Sequence, residues 1–409
     1  MKPGSKAWTV KYTLLNATYF IAFCTVHAYA AVFLLAHGFS NTEVGILLAV
    51  ANIVSAIAQP LVASLIDKPG PITNRGFVAF SVLVILLGSV LLMFIESNKV
   101  LIFVIYAMIY MIQFAYQPVM TALCFEYQKA GCNIMYGLSR GLGSASFAVT
   151  SALIGGVVER EGVFVLLIVN AVSMAAAAII ILFFKKPDGT AAETDDSGEP
   201  GAGGNAQGGK AHNNFFEFVR LYPAYSLFLL ATICFFFAHN MINDFMIQII
   251  RPLGGAETQF GYATFLQAIL ELPVMALFTL ILKKISAKNL LLISGVAFLI
   301  KTAILIFAKS MTALYVSQCF QLFAYAVFIP ASAYYVSETM EELDQVKGQA
   351  FITTAITVGG VFSNFICGRI LDGLGVKPML LTGTAVNAAG VVIAFIAFCF
   401  LKRKSKRMC

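Results

Sequence analysis

Of the 409 residues, 59% are hydrophobic and only 11% are charged, with a mean hydropathy of +0.86. A soluble domain of this size cannot hide so much apolar surface, and a membrane β-barrel would show alternating strands of about ten residues, which are absent. The formal charge of +7 needs no nucleic acid to explain it, because the placement of the basic residues already has a reading in a bilayer.

The charged residues cluster and leave long apolar stretches, each beyond the ~20 residues that span a membrane. Twelve segments follow in chain order, at roughly 12–36, 42–66, 77–96, 99–125, 136–158, 162–184, 222–250, 256–282, 288–308, 311–337, 347–371 and 378–401. The predicted class is an all-α, multi-pass membrane protein. Lys and Arg between segments fall 19 to one side and 6 to the other. Basic loops face the cytoplasm, so both termini are expected there, in a plasma membrane.

The stretch PDGTAAETDDSGEPGAGGNAQGGKAHNN, 187–214, is rich in Gly, Ala and acidic residues. It cannot bury a core and reads as a flexible cytoplasmic linker. It divides the chain into a six-helix bundle over 1–186 and another over 215–409. GFSNTEVG (38–45) parallels GGAETQFG (254–261) at an offset of 216, matching Gly38, Thr42 and Gly45 to Gly254, Thr258 and Gly261. GGVVEREGV (155–163) parallels GRILDGLGV (368–376) at an offset of 213, matching Glu159 to Asp372 and Gly162 to Gly375. Two pseudo-symmetric halves predict a transporter with a central site and alternating access.

Eight cysteines are scattered singly without CxxC or Cys/His spacing, so neither a disulfide framework nor a metal site is expected. No nucleotide-binding loop or catalytic triad is present, which argues against an enzyme and against a bound cofactor. An ion gradient, of protons or sodium, is the expected drive. The remaining expected partners are a small solute and the lipid bilayer, with the chain acting as a monomer.

Ionisable side chains are costly in hydrocarbon and face a partner or a watery cavity. The segments hold Arg140, Asp244, Glu271 and Lys301, with His27 and His239. Glu271 sits near the middle of the eighth segment, with Gln267 one turn earlier on the same face. A carboxyl in an apolar cavity is suited to loading and releasing a proton; equally, it can fix two helices together. Asn240, Asn243 and Asp244 share a face of the seventh segment, Gln113, Tyr116 and Gln117 one of the fourth, and Gln318, Gln321 and Tyr325 one of the tenth. Amides and aromatic rings suit a hydroxyl-rich, ring-shaped solute, and they also serve as interhelical glue. Lys301 reads as a charge partner for an acid, and the histidines as structural. Arg140 offers a planar five-donor fork for hydroxyls or a carboxylate, or it snorkels from the end of its segment.

GILLAVANIVSAIAQPLVASLIDK (45–68), with Gly45, Gln59, Pro60, Asp67 and Lys68, resembles the second helix and following loop of the lactose permease branch of the major facilitator superfamily. The resemblance extends through 260–295 and through YGLSRGLGS. It implies the major facilitator fold of twelve helices, a gating role for Asp67 and Lys68, and a substrate-binding role for Arg140, which also has a counterpart in nucleoside–proton symporters. The branch's acidic sugar ligand falls on Ala122 and its proton-relay positions on Gln318, Gln321 and Ala324. Lactose itself is therefore not implied. The expectation is proton-coupled symport of a sugar or nucleoside, with Glu271 or Asp244 as proton carrier and Arg140, Gln113, Tyr116, Gln117, Asn240, Asn243, Gln267, Gln318, Gln321 and Tyr325 as substrate ligands. Proton-coupled efflux of a drug or metabolite is the alternative, followed by a membrane sensor that transports nothing.

Overall fold

The computed structural model describes residues 6–66, 72–95, 97–186 and 215–399. The expected linker, 187–214, and the expected gating pair, Asp67 and Lys68, lie outside the described residues. Every regular element among the described residues is a helix.

The first span is broken: α1 (Ala7–Phe23) runs into a π-helical turn, Cys24–Ala28, and α2 (Ala30–Ala36) follows at a bend of 52°. Then come α3 (Asn41–Ile66), α4 (Asn74–Leu92), α5 (Lys99–Lys129), α6 (Tyr136–Glu161) and α7 (Phe164–Leu182). A short α8 (Phe215–Leu221) opens the second half, followed by α9 (Pro223–Asp244) and α10 (Met246–Ile250). The chain continues with α11 (Glu257–Leu282), α12 (Ala287–Phe307), α13 (Met311–Cys319), α14 (Tyr325–Thr339), α15 (Glu342–Leu374) and α16 (Val376–Cys399). Among the described residues eleven helices are long and apolar enough to cross a bilayer, and the bent first pair, taken as one span, makes twelve, as expected from the sequence.

The helices start where side chains can satisfy their first amides. Thr73 and Asn98 accept from the Gly76 and Leu101 N–H at 3.0 and 3.1 Å. At the start of α3 the bonds are reciprocal: the Ser40 N–H donates to Glu43 Oε2 at 2.7 Å, and the Glu43 N–H to Ser40 Oγ at 3.1 Å. The repeat places Gln259 where α11 needs the same device, and its Oε1 accepts from the Ala256 N–H at 2.8 Å. Gly38 and Gly254 take φ of +76° and +80°, Gly162 and Gly375 +83° and +85°. These four glycines are the two matched pairs of the repeat, at turns where a Cβ would be strained.

Large apolar side chains such as Leu83, Leu153, Val172 and Phe395 are exposed, as lipid-facing residues of a bundle should be. Inside, one aromatic core is built on Trp8, Tyr12, Tyr106 and Tyr127, another on Phe228, Phe235, Phe298 and Phe328. The first runs across the seam between halves to Phe245, Ile247 and Phe260.

The seam is closed on the side remote from the termini by α3 against α15 and α6 against α11. The closing contacts obey the internal repeat. A Cβ on Gly45 would overlap the Asn364 carbonyl, and one on Gly261 the Ser151 carbonyl; a Cβ on Gly368 would overlap the Asn41 carbonyl, and one on Gly155 the Glu257 carbonyl. Asp372 of α15 then caps the N-terminus of α3. Its Oδ2 accepts from the Thr42 N–H at 2.7 Å, and its Oδ1 from the Asn41 N–H at 3.0 Å and side-chain amide at 2.8 Å. Glu159 of α6 does the same for α11, accepting from the Thr258 N–H at 3.1 Å. Each half thus lays a carboxylate on the positive end of a helix of the other. Toward the terminal side the halves part. Gly137 and Gly141 continue the face of α6 that carries Ser151 and Gly155, and among the described residues nothing outside their own helix backbone lies within 4 Å of where their Cβ would stand.

Candidate functional site

Between the closed seam and the open side, the C-terminal half presents a hydrogen-bonded polar chain. Gln267 and Glu271 lie one turn apart on α11, and Lys301 comes from α12. The tenth span is interrupted by a 3₁₀ turn, Phe320–Leu322; Gln318 lies just before it and Gln321 within it. The Ala324 carbonyl at this break is held by Ser294 Oγ at 2.7 Å, and Ser317 Oγ bonds the Lys301 carbonyl at 2.8 Å. A broken span survives in a membrane when neighbours satisfy its backbone in this way.

The chain itself runs Lys301–Gln321–Glu271. Lys301 Nζ donates to Gln321 Oε1 at 2.7 Å, and Gln321 Nε2 donates to Glu271 Oε1 at 2.9 Å. Beside it, Gln267 Nε2 donates to Gln318 Oε1 at 2.5 Å. Lys301 is completely buried, and Gln321 nearly so. Lys301 therefore answers the charge of Glu271 through an amide rather than by direct contact. His239 stacks on Tyr325, centroids 5.0 Å apart, and its Nε2 pairs with Asn243 Nδ2 at 2.9 Å, while its Nδ1 has no partner.

The N-terminal half contributes Arg140, half-buried on α6. Its guanidinium lies over the Phe20 ring, 4.3 Å from the centroid, and donates to Ser144 Oγ at 3.0 Å. The charges of Glu271 and Arg140 both act on Tyr325, so one charged residue from each half lies near this ring. One hydrogen bond leaves most of the Arg140 fork free for an incoming acceptor. His27 sits in the π-helical turn, stacked on Phe23 at 4.0 Å and tilted against Tyr110 at 3.8 Å. Single π-helical turns recur at functional sites, and the turn contains no Pro or Gly that would announce it.

The polar stripe of α5 divides. Gln113 turns into the N-terminal half, where Nε2 donates to Asn170 Oδ1 at 3.2 Å and Asn170 Nδ2 to Ser89 Oγ at 2.6 Å, joining three helices. Tyr116 is buried edge-on against Tyr19. Both lie within the half, and Gln117 is half-buried one position on. On α9, Asn240 packs at 2.8 Å from the Cβ position of Gly360. Asp244 ends α9, with the Asn364 side chain of α15 as its neighbour. The sequence did not single out Asn364, one apolar-context amide among several, nor the capping role of Glu159 and Asp372. Their match in the repeat was the visible signal.

The description of the MFS_1 like family matches residues 12–382. Two curated proteins align at 26% identity: the uncharacterized transporter YwbF of Bacillus subtilis over 38% of this chain, and a Deinococcus radiodurans protein provisionally named a sugar efflux transporter over 37%. The chain matches only 39% of the length of either relative. Among solved structures, a mutant of the nucleoside transporter NupG superposes with a TM-score of 0.78 at 13% identity, covering 96% of this chain and 100% of the other. A bacterial homolog of the human lysosomal transporter Spinster, in an inward-facing and occupied conformation, gives 0.69 at 11% identity, covering 97% of each. These likenesses show the fold. With the family match over nearly the whole chain and the membrane-spanning helices of both halves, the chain belongs to the MFS_1 like family of the major facilitator superfamily.

Proposed function

We propose that the protein is a proton-coupled symporter of a small polar solute, a sugar or nucleoside, working by alternating access. The reading rests on one juxtaposition: Arg140 of one half and the Lys301–Gln321–Glu271 chain of the other converge on Tyr325. A solute that takes Arg140 on one edge and the Gln267–Gln318 pair or Tyr325 on the other bridges the halves. Asn240, Asn243 and Gln117 stand as further ligands at the margin. Glu271 loads the proton, and Lys301 supports it in the charged state. The protein acts as a monomer in the plasma membrane with both termini cytoplasmic, so the cavity described here opens inward. Asp67 and Lys68 hold that side shut in the alternate state. The relation to a protein named for sugar efflux supports a second reading, exchange of an outgoing solute for a proton.

The test uses purified protein in liposomes with a trapped pH dye and no starting gradient. Added sugars or nucleosides should acidify the lumen with wild type and not with Glu271→Gln. Alkalinisation on solute entry would establish exchange instead. Acidification that survives in Glu271→Gln would remove Glu271 from coupling.

A further inference from the structure

The internal repeat extends past the latch. Counting back from the seam, α6 carries Gly155, Ser151, Ser144 and Arg140, and α15 carries Gly368, Asn364, Thr357 and Thr353 at the same spacing, each pair 213 residues apart. Steps of four, seven and four residues stay on one side of a helix. At the closed end the match is physical. Gly155 and Gly368 each meet a backbone carbonyl of the opposite half, and the Ser151 and Asn364 carbonyls receive Gly261 and Gly45. At the open end the same two faces leave the seam, one bearing Ser144 and Arg140, the other Thr357 and Thr353.

Thr353 is exposed and Thr357 half-buried. The opposite side of α15 is exposed too, at Phe362 and Ile366, and there it is apolar, as suits a side turned to lipid. The two hydroxyls lie on the seam side, where the halves part. Both have committed their proton. Thr357 Oγ1 donates to the Thr353 carbonyl at 3.0 Å, and Thr353 Oγ1 to the Gln349 carbonyl at 3.1 Å. Among the described residues neither hydroxyl bonds another helix, so neither serves as interhelical glue. A hydroxyl has one proton and two lone pairs, so each now presents an acceptor. Arg140 is the reverse: a guanidinium has five N–H donors and no acceptor, and Arg140 gives one bond to Ser144 Oγ at 3.0 Å.

Equivalent places in the repeat thus offer opposite hydrogen-bonding character, donors on α6 and acceptors on α15. We propose that Thr353 and Thr357 are solute ligands that accept from hydroxyl or N–H donors, and that with Arg140 they select a solute able to accept on the α6 wall and donate on the α15 wall. A sugar or ribose hydroxyl does both. A carboxylate without donor groups can pair with Arg140 but has nothing to give α15. The assignment rests on the symport reading for its class of solute, and it adds the residues that read that solute's donors.

The test offers radiolabelled uridine and glucose, and monodeoxy analogues of each, to the full-length protein in liposomes. Thr353→Val and Thr357→Val keep the shape and remove the oxygen. Each should raise KM for a transported solute about 3- to 10-fold, the worth of one neutral hydrogen bond, with maximal rate and unfolding midpoint little changed. The analogue lacking the hydroxyl that is read should show the higher KM in wild type already and lose nothing further in the variant. Ser at the same position should restore the wild-type KM. In a background without native cysteines, Thr353→Cys and Thr357→Cys should react with a membrane-impermeant thiosulfonate added from the side of the termini. Unreactive cysteines would overturn the proposal without any solute. So would an unchanged KM in both Val variants, or a loss equal for every analogue. A wild type that transports none of the panel overturns the proposal together with the symport reading. Solute-driven acidification that persists in the Val variants at wild-type KM overturns the proposal alone.

Discussion

Neutralising Asp372 should loosen the closed side while leaving the fold intact. In Asp372→Asn the side chain keeps its size, and an amide oxygen can still accept from Asn41. The Thr42 N–H, now received at 2.7 Å by a carboxylate oxygen, would meet an NH₂ group instead. Two contributions are lost: one charge-assisted bond and the attraction between a carboxylate and the N-terminus of α3. Asp372 is exposed, so solvent screening holds the sum to about 1 kcal/mol. That is about a fivefold shift of the equilibrium toward opening, at 1.4 kcal/mol per tenfold. Spin labels at Arg160→Cys and Lys377→Cys, one on each half at the latch side, would report it as growth of a longer distance in a background without native cysteines. The shift should shrink at high salt, as exposed electrostatics do. Glu159→Gln should act in the same direction with a smaller effect, since only one backbone bond reaches it. An unchanged distance distribution in the double variant would refute the latch.

The glycines at the seam make a steeper prediction. Gly45→Ala and Gly261→Ala each set a methyl group against a backbone carbonyl of the opposite half. Overpacking of this kind costs about 1–3 kcal/mol, all of it charged to the closed state, so the same spin labels should report opening and net solute flux should fall. Unaltered flux would mean the halves do not need this approach. Lys301→Met leaves Glu271 without its buried counter-charge, and loss of one partner costs about 3–5 kcal/mol. Its unfolding midpoint should drop, and addition of Glu271→Gln should restore most of the loss. Without restoration, Lys301 acts through packing alone.

The spans were legible because hydrocarbon demands long uninterrupted apolar runs, and nothing else in the chain competes with that signal. The four turn glycines were legible for a related reason: positive φ selects one residue type. The breaks at Tyr29 and Phe245 were not, because neither a π-helical turn nor a simple interruption needs Pro or Gly. The α5 stripe shows a different limit. Gln113 and Tyr116 have the spacing of cavity ligands, yet they face Asn170 and Tyr19 inside their own half. In a soluble helix the polar face marks water. Here the polar face of α5 is turned into protein and its exposed face is apolar, so spacing alone cannot tell glue from ligand. The Gln318, Gln321 and Tyr325 stripe lies at a broken span, where its amides are bonded to Gln267, Lys301 and Glu271.

Closure and chemistry follow different symmetries. The contacts that shut the latch side come in equivalent pairs: Gly45 and Gly261, Gly155 and Gly368, Glu159 and Asp372. On the proposed alternating-access reading, such matched contacts let the halves rock about a common axis without either one leading. The charges break that match. At the repeat's offsets Arg140 corresponds to Thr353, Glu271 to Ser55 and Asp244 to Ala28. Ser55 spends its hydroxyl on the Ala51 carbonyl at 2.7 Å, inside its own helix. One half therefore brings a cation to the cavity, while the other brings the acids, the lysine and the amides between them. On the proposed reading, neither half can satisfy a solute and its coupling ion alone. The bound state is the one in which the halves have come together, and the work of the ion gradient is spent on the half that carries the acids.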